Sequence, residues 1–109
     1  MPAATSLVLA VLGLLAATPT LAAPSAQRQQ ALLHLLQHDC GSCHGMTMKG
    51  GLGPALLPAN LAGKTNEFLV DTILEGRAAT AMPPWRGMLS HDEVRWLVEQ
   101  LRSGVDHAE

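Results

Sequence analysis

Aromatic side chains are nearly missing from this sequence: there is no Tyr, one Phe (Phe68) and two Trp (Trp85 and Trp96), together 3% of 109 residues. Flat apolar area for a core must come from aliphatic side chains or from something that is not an amino acid. An excess of one charge is also lacking, since Lys and Arg total 7 against 9 Asp and Glu. The cations are scattered, which excludes a basic stripe for nucleic acid or for an anionic membrane surface. Cysteine is limited to Cys40 and Cys43, so a structural zinc site, which usually needs four ligands, lacks its second cysteine pair. No alternating run is long enough for a sheet, and no segment repeats.

What is present begins with an apolar run from Leu7 to Ala17, followed by Thr18-Pro19-Thr20 and the small residues of Leu21-Ala22-Ala23. That order is the pattern of a secretory signal peptide, with cleavage expected near Ala22 or Ala23, although no Lys or Arg precedes Leu7. As an uncleaved anchor the run falls well below the roughly 20 residues of a spanning helix, so no stable membrane span is expected. The expected division is therefore a leader over 1–23 and one domain over 24–109. A domain of that size has a marginal core of its own and commonly relies on a staple or cofactor.

Within the domain, Ser25 is placed to cap a helix running to about Asp39, with Leu32, Leu35 and Leu36 on one face, leading straight into Cys40. The stretch 45–64, with Gly50-Gly51-Leu52-Gly53-Pro54 and Pro58, reads as a folded loop with a short helical turn near Asn60. Thr65 caps a second helix to about Glu75, carrying Phe68, Leu69, Ile73 and Leu74, and Gly76 stands at its end. Pro83-Pro84 keeps the next segment out of helix. Ser90 and Glu93 then form a capping-box pattern that opens a third helix to about Ser103, with Val94, Leu97, Val98 and Leu101 in one stripe and Gly104 as its stop. The expected architecture is all-α: three main helices with loops between them.

Cys40-Gly41-Ser42-Cys43-His44 is the most informative stretch, because C-x-x-C-H is the attachment signature of c-type haem. Two thiols two residues apart can each add to one vinyl group of a protohaem, and the following residue is then carried beneath the iron. His44 supplies the nitrogen there. The same cysteines could form a disulfide or a thioredoxin-like redox pair, but that chemistry goes with a β-α-β setting which the sequence lacks.

For the other axial position, electron carriers usually use a Met thioether, which raises the potential relative to two nitrogens. Met46 and Met48 follow His44 too soon to reach the opposite face and read as filler. Met82, in Ala81-Met82-Pro83-Pro84-Trp85, lies on a proline-stiffened loop far enough along the chain to return across the ring. Met88 and the histidines His34, His38, His91 and His107 are weaker candidates. His34 and His38 read as exposed polar residues one turn apart, His91 as a surface residue at a helix start, and His107 as part of the tail. Pro54 is a candidate to accept a hydrogen bond from the second ring nitrogen of His44. Arg77, Arg86, Asn60 and Trp85 are candidates for the haem propionates.

With these residues in place, the domain resembles the class I cytochromes c over nearly its whole length. Lys49-Gly50-Gly51-Leu52-Gly53-Pro54-Ala55-Leu56, Ile73-Leu74-Glu75-Gly76-Arg77, Met82-Pro83-Pro84-Trp85 and Trp96-Leu97-Val98 are similar to the NirC-type monohaem cytochromes that accompany the cytochrome cd1 nitrite reductase of denitrifying bacteria. The resemblance implies one covalent haem c on Cys40 and Cys43, with His44 as proximal and Met82 as distal iron ligand, and a fold wrapped around it. It further implies a periplasmic, monomeric electron carrier and not an enzyme. Its redox partners would include the nitrite reductase, as electron acceptor, or a late step in making haem d1. The alternative is a haem enzyme or small-gas sensor whose distal side is open.

Overall fold

The computed structural model describes residues 2–4, 10, 13–17 and 23–105. The leader pattern lies largely, and His107 wholly, outside the described residues.

Helix α1 spans Ala26–Leu35 and starts where Ser25 Oγ accepts a hydrogen bond from the Arg28 amide at 3.2 Å. It does not run unchanged to the cysteines. Residues Leu36–Cys40 form a π-helical turn, in which the Gly41 amide reaches back five residues to the Leu36 carbonyl, and helix α2, Gly41–His44, continues from it. Such a wider turn shifts the angular register of everything after it, a device often found beside functional residues. The simple helix expected from the sequence is thus three consecutive pieces, because apolar spacing cannot distinguish a wide turn from an ordinary one.

Gly45 stops the helical run at φ +93°, and a Cβ there would lie 2.8 Å from the Gly50 carbonyl oxygen. The chain then folds back on the α2 terminus: the Gly50 amide donates to the His44 carbonyl and the Gly53 amide to the Cys43 carbonyl, each at 2.8 Å. These bonds satisfy carbonyls that a helix end leaves open. Helix α3 is the short turn Pro58–Leu61, with Pro58 at its first position, where a missing amide hydrogen costs nothing.

Helix α4, Asn66–Glu75, is capped by Thr65, whose Oγ1 accepts from the Phe68 amide at 3.1 Å. Helix α5, His91–Ser103, opens with the full reciprocal capping box: Glu93 N to Ser90 Oγ at 3.1 Å and Ser90 N to Glu93 Oε1 at 3.0 Å. Gly104 ends it in the left-handed region at φ +73°. Among the described residues there is no strand, so the fold is all-α as expected. No helix of the described residues is long and apolar enough to cross a membrane.

Helix α5 packs against α4, α3 and α1. Its stripe of Val94, Leu97, Val98 and Leu101 is buried together with Leu32 and Leu36 from the first helical run and Leu69, Val70 and Leu74 from α4. Burying side chains of this size stabilises by roughly 1.5–3 kcal/mol each relative to exposure. Met48 joins this core at φ +59°, while Met46 stays on the surface. Phe68 departs from the expected apolar face of α4: it is 50% exposed, and Val70, which the pattern did not single out, is buried in the core.

A residue that no motif or spacing singled out ties the bundle together. Arg102 of α5 donates through Nε to Asn66 Oδ1 at 2.6 Å and through its terminal nitrogens to the Leu61 carbonyl at 3.0 Å and the Lys64 carbonyl. It joins the end of α3 to the start of α4. Charge-assisted bonds to open carbonyls are stronger than neutral ones.

Candidate haem site

Cys40 closes the π turn, and Cys43 and His44 lie on α2, so the three chemically active groups stand on one short, continuous helical segment. Both cysteines are half-buried free thiols. Burial, with the nearby Asp39 carboxylate adding to it, pushes the Cys40 thiol up to about 11. It is therefore protonated at neutral pH, a state that disfavours oxidation to a disulfide with Cys43. Ser42 Oγ donates to the Asp39 carbonyl at 2.6 Å and braces the turn between the two sulfurs.

The His44 ring is fixed from two sides. Its Nδ1 donates to the Pro54 carbonyl at 2.7 Å, the bond for which Pro54 was a candidate. Gly53 lies flat against the ring: a Cβ there would come 2.9 Å from Cε1 and 3.0 Å from Nδ1. With Nδ1 engaged, Nε2 is the nitrogen left to bind a metal, and the partner of Nδ1 sets the ring's orientation and basicity. Gly51 is held as closely, since its Cβ would meet the Cys43 carbonyl at 2.8 Å. The loop 45–54 is thus shaped around the attachment segment. Two thiols and one oriented imidazole are a donor set that fits a covalently attached haem.

Met82 is half-buried on the loop between α4 and α5. Its carbonyl accepts from the Arg77 amide at 3.2 Å, and Gly76 approaches so closely that a Cβ would lie 2.7 Å from that carbonyl oxygen. Further along, the Trp85 amide donates to the Ile73 carbonyl and the Arg86 amide to the Leu74 carbonyl, each at 3.1 Å. The loop is therefore laced along the last turn of α4. Met88, by contrast, is 68% exposed.

Of the propionate candidates, Arg86 is engaged elsewhere: Nε donates to Glu75 Oε1 at 2.6 Å, and a second nitrogen reaches the same oxygen. Trp85 packs partly buried against the core, while Arg77 and Asn60 are exposed. Gly53 and Gly76 are the residues of the site that sequence reasoning did not assign. The signal for Gly53 was the Gly-Pro density of its loop and that for Gly76 its place at the end of a helix, and neither says what the backbone turns around.

An all-α bundle with a terminal helix packed across it, and a C-x-x-C-H segment at the end of its first helical run, defines a class I cytochrome c. Comparison with known proteins narrows this. A family model described as cytochrome c oxidase, cbb3-type, subunit III matches residues 27–100. A cytochrome c55X of Pseudomonas aeruginosa is 58% identical over 81 residues, 74% of this chain and 68% of that protein. Among solved structures, a c-type cytochrome NirC superposes with a TM-score of 0.73 at 57% identity, over 75% of this chain and 96% of that one. A dihydro-haem d1 dehydrogenase NirN superposes with a TM-score of 0.63 at 32% identity, over 71% of this chain but 16% of the enzyme.

The chain belongs to that family of cytochrome c domains and, within it, to the NirC-type monohaem cytochromes. It is a periplasmic c-type cytochrome with a single covalent haem c, and it carries electrons in a denitrification-related pathway. The likeness to NirC spans almost the whole of that small cytochrome, whereas the likeness to the dehydrogenase stops at a sixth of it. That contrast favours the carrier over the haem enzyme considered from the sequence.

Proposed function

We propose that Cys40 and Cys43 bind the haem through thioether links, that His44 Nε2 and Met82 Sδ are its two axial ligands, and that the functional chain is 24–109 after removal of the leader. The observation that carries this reading is the His44 ring, braced by the Pro54 carbonyl and Gly53, with Nε2 unengaged beside two free thiols. The lacing of the Met82 loop to α4 supports the distal assignment, because a weak thioether bond is kept only where holding the side chain costs little entropy. The capped start of α1 at Ser25 supports a domain that begins just after Ala23.

Haem c, when bound, supplies a one-electron iron couple. The protein's share would be to hold the iron with His44 and Met82, which would leave no place for a substrate and limit the group to electron exchange. Such exchange suits brief, small-area encounters with redox proteins. The partners we propose are the cytochrome cd1 nitrite reductase, as acceptor, or the enzyme completing haem d1. The likeness to part of a dihydro-haem d1 dehydrogenase favours the second.

The test is the optical spectrum of the exported, oxidised protein. A weak far-red band from thioether-to-iron charge transfer is expected, and Met82→Ala should abolish it while Met88→Ala leaves it intact. A band that survives Met82→Ala, or rapid carbon monoxide binding by the reduced wild-type protein, would remove Met82 from the iron. Mixing the reduced cytochrome with each proposed partner in a stopped-flow instrument then separates the two partners by rate.

A further inference from the structure

We infer that His34 and His38 form a two-imidazole chelate for one divalent transition-metal ion on the exposed side of the first helical run. Both residues are exposed, and their ring centroids stand 4.2 Å apart with the planes tilted by 41°. Aromatic rings that merely neighbour one another usually sit about 4.5–7 Å apart, so this pair is unusually close for two side chains on a solvent-facing surface.

The backbone explains the closeness. In an ideal α-helix each residue advances by about 100°, so a side chain four positions on overshoots its predecessor by about 40°. Here His34 belongs to α1 and His38 to the π turn that begins at Leu36. A π turn advances less per residue, which takes back part of the overshoot and brings His38 more nearly above His34.

The spacing fits a shared ion. With metal–nitrogen bonds of about 2.0–2.1 Å, two nitrogens at a right angle around one ion are about 3 Å apart, and the ring centroids behind them about 4.5 Å. A few tenths of an ångström separate the observed pair from that geometry, within reach of small side-chain rotations. Among the described residues no cluster of three or more His, Cys, Asp or Glu could hold a metal ion. The chelate thus has two protein ligands and leaves its other positions to water, which makes the ion exchangeable. Two neutral imidazoles without carboxylates select Cu(II), Ni(II) or Zn(II) over Mg(II) and Ca(II), and Cu(II) binds most strongly of these. The pair uses neither Cys40, Cys43 nor His44, whose ring is engaged by the Pro54 carbonyl.

The oxidised, haem-loaded protein titrated with Cu(II) in a calorimeter tests this. One ion should bind with micromolar affinity, and its electron paramagnetic resonance spectrum should carry coupling to two nitrogens. His34→Gln and His38→Gln should each weaken binding by about tenfold or more, with the Soret band and helical circular dichroism unchanged, while His91→Gln should bind as the wild type does. Wild-type affinity in either of the first two variants, or no uptake by the wild-type protein, would overturn the assignment.

Discussion

At the scale of single residues, the site depends on what is absent from Gly53 as much as on what His44 carries. The ring lies against a glycine whose Cβ would sit within 3.0 Å of two ring atoms, closer than real Cβ contacts are found. Gly53→Ala should therefore push the imidazole off the Pro54 carbonyl. We expect a loss of about 1–3 kcal/mol, the usual range for an overpacked site, read as a lower midpoint in chemical denaturation of the haem-loaded protein together with a shifted Soret band. An unchanged midpoint and spectrum would mean that the ring has room to retreat. Cys40 belongs to the same scale: burial pushes its thiol up, which lowers the reactivity of that one sulfur before haem is joined to it.

Among the secondary-structure elements, the last turn of α4 governs the loop that carries Met82. The Trp85 and Arg86 amides stitch the two together, the Arg77 amide closes the loop on the Met82 carbonyl, and the Glu75–Arg86 ion pair adds an exposed link worth little by itself. The pivot is Gly76, which combines φ +68° with so close an approach to the loop that an added Cβ would lie 2.7 Å from the Met82 carbonyl oxygen and 2.8 Å from backbone atoms of Pro83 and Pro84. An alanine there is strained in φ and also displaces the loop, at a combined cost of about 1–3 kcal/mol. Gly76→Ala should thus loosen the proposed thioether bond, giving a weaker far-red band, a lower reduction potential and faster carbon monoxide binding, measured by titration and flash photolysis. Glu75→Gln, which leaves the backbone stitching in place, should change these quantities far less.

Across the whole molecule, the two ends of the domain are joined by Arg28 of α1 and Glu93 of α5, whose side chains form an ion pair. Hydrogen bonding from Arg28, then from the Ser90 backbone, holds the Glu93 carboxyl below its ordinary value. A carboxyl depressed in the folded state stabilises above its unfolded pKa, near about 4.3, and that contribution is lost as pH falls through the folded value. Thermal midpoints measured from pH 7 to pH 3 should therefore fall more steeply for the wild-type protein than for Arg28→Gln. Parallel curves would mean that the pair adds nothing to folding. What the sequence determined alone are the features set within a few residues: the caps at Ser25, Thr65 and Ser90, the stops at Gly76 and Gly104, the apolar stripe of α5, and the C-x-x-C-H spacing. Each follows from local hydrogen bonding or from helical repeat, which the order of residues encodes directly. Only the tertiary structure decided that Gly53 faces His44, that Gly76 abuts Met82, that Arg102 clamps α3 to α4, that Arg86 turns to Glu75, and that Phe68 is left half in solvent. These contacts join residues further apart than one helical turn, those of Arg102 by 36 positions or more, and the order of residues does not state which such groups the folding of loops and the packing of helices will bring together.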